Sequence, residues 1–362
     1  MLTTPSLIDP SDTAESPVGK PFLIRSQRRV RLGPLEVDIR SNEPRFEGMR
    51  YFPKSAEITS ESLCDYTLSL CNLTVDAPWP LERLHPMYDR TYRGKRFVGG
   101  YYLTDHYGAP AYLMTHGTHY WVFANDFRPI LWPCLAKWLL TRYSIDHGML
   151  HLKAASLAVD DAGILLVAHG EGGKTVLLTQ LCRRGARFLS NTHTLVHDRR
   201  IIAVPNAMRI RNDVLFGPLI ASRSLPNGPR PGEYFADPYA DLGWRGDEVA
   251  PLKIICLVDF RKPGTQTVQD IDRETLFNYM DQFALAVNVY GLKEDVLDHF
   301  TGEVTAFSQC MQEMRERLRA IVTTCDAYYV SCDAMVPETL EALYQILGKP
   351  HQRHGSRTPP HP

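Results

Sequence analysis

The chain has 362 residues, of which 44% are hydrophobic and 22% charged, with a formal net charge of -1 at pH 7. That length buries a sizeable core and suits two domains, while the balanced charge leaves no electrostatic footprint for nucleic acid or for an anionic membrane. The longest apolar stretch, Ile130 to Leu140, contains Pro133 and Lys137 and is too short to span a bilayer.

In chain order, Met1 to Phe22 is polar, carries Pro5, Pro10, Pro17 and Pro21, and lacks the basic start and apolar core of a signal peptide, so residues 1–22 read as a flexible leader. Residues 23–126 read as a strand-rich N-terminal domain. Arg29 to Ile39 alternates charged and apolar residues, and Arg96 to Leu103 and Ala111 to Phe123 are rich in aromatic and β-branched types. Thr104 to Pro110 is expected as a turn, and Glu57 to Leu70 as a helix across the sheet. His116 and His119 form an HxxH without a third ligand and read as a turn and strand edge. The eight cysteines are dispersed, without zinc-knuckle spacing, and read as free thiols, which points to a reducing cytoplasm.

Residues 127–348 form the second expected domain, followed by a polar tail at 349–362. Pro129 to Tyr143 has apolar residues, Ile130, Leu131, Cys134, Leu135, Trp138 and Leu139, at intervals of three and four, which predicts one helix with a buried face; Trp132 and Trp138 read as core rather than as a binding pair. After His151 to Ala158 comes the segment that carries the chemistry. Ile164 to Ala168 is an unbroken apolar run of the kind found in a strand covered on both faces, and Lys174 to Leu181 suits a helix. Between them, Gly170, Gly172 and Gly173 let the backbone turn back tightly and bring N–H groups to phosphate oxygens at a helix N-terminus. His169, Gly170, Glu171, Gly172, Gly173, Lys174, Thr175 and Val176 make up this cradle. Lys174 is expected at the β and γ phosphates of ATP, and the Thr175 hydroxyl on Mg²⁺. The GxxxxGK[ST] pattern has Ala168 at its first glycine, a position that takes alanine if φ stays negative.

The stretch from His151 to Val196 resembles the nucleotide-binding core of the HPr kinase/phosphorylase group of P-loop proteins, whose fold is shared with phosphoenolpyruvate carboxykinase; the likeness covers roughly residues 125 to 260. It rests on a strand opening with His, a second strand, the P-loop and helix, the Arg184-Gly185 pair closing that helix, and the run Ile202 to Ile210. The implied fold is α/β, a mixed-sheet P-loop kinase core with the strand-rich domain before it. The group has Gly where this chain has Ala168, and paired aspartates, serving as general base and metal partners, where it has Asn191 and Thr192. Asn191 accepts a hydrogen bond but cannot take up a proton at neutral pH.

His193, two residues beyond Asn191 on an expected strand and so on the same face, ranks first as a replacement base. Glu171 and His169, inside the loop, are the other candidates, and a structural role for each histidine is an equal alternative. Arg209 and Arg211 alternate on a strand and form a candidate clamp for the substrate, or else a solvated pair at a sheet edge. Asp198 and Asp213 are reserve metal ligands. Pro226 to Arg245 reads as a long irregular loop, a lid or a disordered excursion. Leu252 to Phe260 is a buried strand ending in Asp259; helices at Asp272 to Val289 and Gly302 to Ile321, a strand at Ala327 to Val330 and a helix at Pro337 to Leu347 follow.

These signals make the chain an ATP- and Mg²⁺-dependent kinase that phosphorylates a hydroxyl of a small polar metabolite. The alternatives are a peptide or protein Ser/Thr kinase of the same fold, and a nucleotide-binding module without transferase activity.

Overall fold

The computed structural model describes residues 23–44, 52, 57–58, 63–75, 111–170, 172–228, 230–260, 267–331 and 333–347. The leader, the tail, Arg96 to Leu103 and the turn at Thr104 to Pro110 lie outside them. The fold is mixed α/β, organised by two mixed sheets.

Ser26–Leu32 (β1) and Leu35–Ser41 (β2) form an antiparallel hairpin that turns at Gly33. The alternation in this stretch is a sheet with one covered face, since Val30, Leu32, Leu35 and Val37 are fully buried while Arg31 is exposed. Glu57–Ile58 (β3), Tyr66–Asn72 (β4), Ala111–His116 (β5) and His119–Ala124 (β6) complete a six-stranded sheet of order β3-β1-β2-β4-β6-β5. In place of the helix expected over Glu57 to Leu70, the described residues form β3 and β4. Tyr66, Leu68 and Leu70 recur at period two, and β4 is hydrogen-bonded along both edges, to β2 and β6, which fixes the extended form.

The single helix expected over Pro129 to Tyr143 is interrupted. Arg128–Trp132 (α1) passes into a π-helical segment, Pro133–Leu139, before Leu140–Asp146 (α2). Pro133 has no N–H to give to the preceding turn, and the Leu140 N–H reaches back five residues to the Leu135 carbonyl.

Leu150–Leu152 (β7), Ala155–Val159 (β8) and Ala162–Val167 (β9) lead to the helix Lys174–Arg183 (α3). That helix ends in a Schellman turn, with Gly185 at φ +99° and the N–H groups of Gly185 and Ala186 bonded to the carbonyls of Cys182 and Leu181. Arg187–Ser190 (β10), Thr194–His197 (β11), Arg200–Ile202 (β12), Met208–Arg211 (β13), Gly217–Ser222 (α4) and Glu233–Ala236 (β14) follow. The remainder comprises Val249–Val258 (β15), Thr267–Asp270 (β16), Arg273–Phe283 (α5), Ala286–Val289 (α6), Lys293–His299 (α7), Val304–Thr324 (α8), Asp326–Ser331 (β17) and Pro337–Leu347 (α9). The stretch read as an irregular loop, Pro226 to Arg245, therefore contains β14, which pairs with β13.

The second sheet runs β10-β8-β9-β15-β12-β11-β7, with β17 and β16 joined at β15. Two parallel pairings at its centre, β9 with β15 and β15 with β17, send these strands in one direction. Side chains alternate between two cores: Ile164, Leu166, Ile254 and Cys256 face α3 and α9, while Leu165, Val167, Ile255 and Leu257 face a core that continues through α5 and α8 into the N-terminal sheet. Apolar packing thus crosses the boundary expected near residue 126.

The β1–β2 turn presses on the second sheet at one point. Gly33 has φ +63°, and a Cβ there would lie 2.4 Å from the Ala203 carbonyl oxygen; Gly117, in the β5–β6 turn at φ +60°, has nothing within 4 Å. Gly117→Ala is expected to cost about 1 kcal/mol, the strain of the left-handed region alone, and Gly33→Ala at least about 1 kcal/mol more. Urea titration of the two variants separates the terms; equal losses would mean that the contact at Ala203 carries nothing.

Candidate functional site

The strand β9 is buried along nearly its whole length and delivers the chain at Ala168 into the glycine-rich turn. Ala168 is not among the described residues with positive φ, so alanine sits there without strain. A Cβ on residue 172 would lie 2.8 Å from the Ala168 methyl, and one on residue 173, at φ +89°, would lie 2.5 Å from the Phe260 Cβ. Gly172 and Gly173 are therefore required sterically, whereas a Cβ on Gly170 would meet nothing within 4 Å. The helix α3 starts from Gly173 without a side-chain cap, and its first bond is from the Leu177 N–H to the Gly173 carbonyl, which leaves the N–H groups of Lys174, Thr175 and Val176 for another partner. Glu171 lies outside the described residues.

Lys174 folds back over the turn, its Nζ donating to the carbonyls of Ala168 (2.9 Å) and His169 (3.2 Å). Burial, with help from the charge of Lys153, pushes its ammonium down to about 8. The Thr175 hydroxyl donates to Oδ1 of Asn191 at 3.1 Å, and Asn191 is 5% exposed, just past β10. Two oxygens of the kind a hard cation accepts thus lie together at the start of α3.

A further acid comes from the neighbouring strand. In the parallel pair, Leu257 of β15 faces Val167 of β9, so Asp259 follows at the level where the loop begins, next to the Phe260 that fills the space left by Gly173. The Tyr329 hydroxyl donates to its Oδ2 at 3.1 Å. Asp259 is thus an acid directly after an apolar strand that runs parallel to β9. Its signal was present in the sequence as the run Ile254 to Val258 followed by Asp, but the parallel pairing that gives it meaning is tertiary.

Asn191 to His193 form a bend between β10 and β11 rather than part of a strand, so the alternation that ranked His193 beside Asn191 does not apply. His193 is 1% exposed and closed in by rings, with Trp132, His151 and Tyr290 at 5.5, 5.2 and 5.7 Å. The hydrogen bonds fix its tautomer. The Thr141 hydroxyl donates to the Lys137 carbonyl and so accepts from Nδ1–H of His151; Nε2 of His151 then accepts from Nδ1–H of His193 at 3.0 Å, leaving Nε2 of His193 as an acceptor. Burial, then coupling to His151 and the charges of Lys137, Arg209 and Lys153, hold His193 well below its ordinary value, and burial takes His151 down to about 3. Burial thus keeps His193 neutral.

The expected clamp is also divided. Arg209 and Arg211 are both exposed on β13, but Arg211 is committed to buried Glu233, with Nη2 3.1 Å from Oε1. Arg209 instead acts on His193 and Tyr290. Asp213 caps the N–H groups of Leu215 and Phe216, and Asp198 lies in the β11–β12 turn beside His197, so both reserve acids belong to turns. His119 bonds Ser69 at 2.8 Å and stacks on Trp121. Among the described residues no group of three His, Cys, Asp or Glu converges as for a metal, the seven described cysteines are free, and no helix is long and apolar enough to cross a membrane. A cavity of about 590 Å³ lined by Arg31, Gly33, Glu36, Tyr239 and Glu248 also borders Val249, at the opposite end of β15 from the loop. No protein-family model and no curated protein matches the chain.

Two expectations follow from the titrating groups. With free Lys174 at about 8, it is largely neutral at about pH 8.5; a triphosphate placed beside it would raise it again, so such binding would take up a proton and weaken as pH rises through 8. Calorimetry in buffers of different ionisation enthalpy measures that uptake, which Lys174→Met abolishes. His151, at about 3 when folded against 6.5 when unfolded, contributes stability above pH 6.5 that is lost as pH falls toward 3, because the unfolded chain binds the proton first. The urea midpoint should fall across that window, with a shallower slope in His151→Gln.

Proposed function

We propose that the protein is an ATP- and Mg²⁺-dependent phosphotransferase with a P-loop kinase core like that of the HPr kinase/phosphorylase and phosphoenolpyruvate carboxykinase group, acting on a hydroxyl of a small polar molecule. The observation that carries this reading is the strand-turn-helix from Ala162 to Arg183, with two sterically obligatory glycines, an inward-folded Lys174 and uncommitted N–H groups at the helix start. The cradle from His169 to Val176 fits a triphosphate tail by its backbone donors and by the positive end of α3.

Thr175 and Asn191, which are hydrogen-bonded to each other, would hold Mg²⁺, with Asp259 after the adjacent parallel strand as the nearest acid in register, and the ion would supply charge neutralisation to the nucleotide. In the reaction, the bond from the γ phosphorus to the ADP oxygen breaks as the bond to the acceptor oxygen forms, and the hydroxyl proton leaves to solvent. The protein contributes position and charge: the loop amides orient the phosphates and Lys174 meets the charge that develops on them. A loose transition state asks little of a base, which accommodates Asn191 in place of an aspartate and a neutral, buried His193.

That same pair of features favours a second reading, a nucleotide-binding module that does not transfer phosphate. Calorimetry with Mg²⁺ and ATP, followed by a search for phosphorylated product over a panel of hydroxyl compounds, separates the two. For a kinase, Lys174→Ala is expected to cost about 10²-fold or more in rate and Asp259→Asn about 10-fold to 100-fold in apparent Mg²⁺ affinity. ATP bound without product across the panel would favour the module, and indifference to both ATP and GTP would remove both readings.

A further inference from the structure

The cavity at the far end of β15 takes its walls from both sheets. The β1–β2 hairpin supplies Arg31, Pro34 and Glu36, and the entry to β15 supplies Asp247, Glu248 and Val249. Its volume of about 590 Å³ is that of a small-molecule site. The walls are held in place, since Gly33 packs on the Ala203 carbonyl and the Ala203 N–H donates to the Glu248 carbonyl at 2.8 Å. Tyr239, which also lines the cavity, is held too. Its ring meets Phe188 edge-on at 6.0 Å and lies so near Gly246 that a Cβ there would be 2.6 Å from Cε1 and 2.8 Å from the hydroxyl oxygen.

The lining is of two kinds. Pro34, Ile202, Pro205 and Val249 give it an apolar side, and Val249 is 38% exposed there. Against this side stand three acids and one base. Arg31 is paired with Glu248, Nη2 to Oε1 at 3.2 Å, and Asp247 accepts from Arg187 through Oδ2. Oδ1 of Asp247, Oε2 of Glu248 and the Tyr239 hydroxyl make no hydrogen bond among the described residues. Burial, then the charges of Asp237, Glu248 and Asp247, push the Tyr239 phenol up to about 12, so it stays neutral beside these acids. Such a lining repels an anion, and no three acids converge for a metal ion among the described residues. A cation with an apolar body suits both kinds of surface.

We propose that this cavity binds a small organic amine, its ammonium donating to Asp247, Glu248 and the Tyr239 oxygen while its apolar body covers Pro34, Ile202 and Val249. An ammonium has three N–H donors and no acceptor, which matches a lining of open oxygens. The glycine-rich turn lies at the opposite end of β15, so the amine is an effector rather than a phosphoryl acceptor, and the proposal does not depend on the kinase reading. Because the walls belong to both sheets, the occupant also ties the β1–β2 hairpin to the second sheet.

The test titrates the full chain by calorimetry near neutral pH with tryptamine and hexylamine, with their alcohols tryptophol and hexanol, and with the acids indolepropionate and heptanoate. At least one amine is expected to bind about fivefold or more tightly than its alcohol and its acid, an advantage that shrinks with added salt. Glu248→Gln removes an acid and leaves Arg31 without that partner, and is expected to weaken the amine about fivefold or more. Val249→Lys puts an ammonium into the cavity and is expected to abolish amine binding. Both side chains are exposed, so neither change opens a core, and circular dichroism checks that the variants fold. Alcohols or acids binding as tightly as the amines, no amine binding at all, or amine binding that persists in folded Val249→Lys, would each overturn the proposal. The comparison among the compounds needs no variant, so a misfolded substitution cannot hide the answer.

Discussion

The parallel pairing of β9 with β15 is the constraint on which the rest of the site depends. Parallel neighbours cannot be joined by a tight turn, so the chain must leave the end of β9 and return to the far end of the sheet before β15 begins. Here that excursion takes residues 168 to 248 and carries the glycine-rich turn, α3, Asn191, His193 and Arg209. Because both strands point the same way, the residues that follow each of them meet. The turn after β9 lies against Phe260 after β15, and the contact is close enough that residue 173 must lack a side chain. The geometry of the cradle is therefore set partly by a residue nearly ninety positions away from it.

That dependence explains which parts were legible in the sequence. The strand-turn-helix was, because glycine spacing, a buried strand before the turn and a helix after it are local requirements, and α9 has the bounds of its apolar pattern, Pro337–Leu347. The Arg184-Gly185 stop was also readable, since a left-handed residue after a helix is a local need that glycine meets. What local pattern could not give is partnership. Nothing near Arg211 in sequence announces Glu233, nothing near Asp259 announces the loop, and the period of three and four over Pro129 to Tyr143 does not reveal the extra residue per turn that aims Lys137 at Tyr290. His193 was misjudged for a related reason: its neighbours in sequence suggested an alternating strand, while its neighbours in space are three rings and another imidazole.

The N-terminal sheet also touches this arrangement. Its core is continuous with the face of the second sheet that bears Leu165, Val167, Ile255 and Leu257, and Phe52 stacks obliquely on Trp132, which in turn meets His193 edge-on. The helical passage α1 to α2 thus joins the strand-rich part to the ring cluster by direct packing. Interiors packed at crystal-like density transmit displacement, so residues that recognise nothing themselves still determine where His193 and Lys137 stand.

The electrostatics of the site follow from the same packing. Removing the two imidazoles from water makes their protonated forms costly, and for His193 the charges of Lys137, Arg209 and Lys153 add to that cost, so both rings stay neutral. The hydrogen bond from Nδ1–H of His193 to His151 leaves Nε2 of His193 with a lone pair rather than a proton. Lys174 feels the same environment more weakly and remains poised near neutrality, its ammonium held for the present by two carbonyl oxygens of its own loop. Each of these groups is less stable in its charged form than it would be in water. The cost of holding these groups away from water is met by packing elsewhere in the two cores.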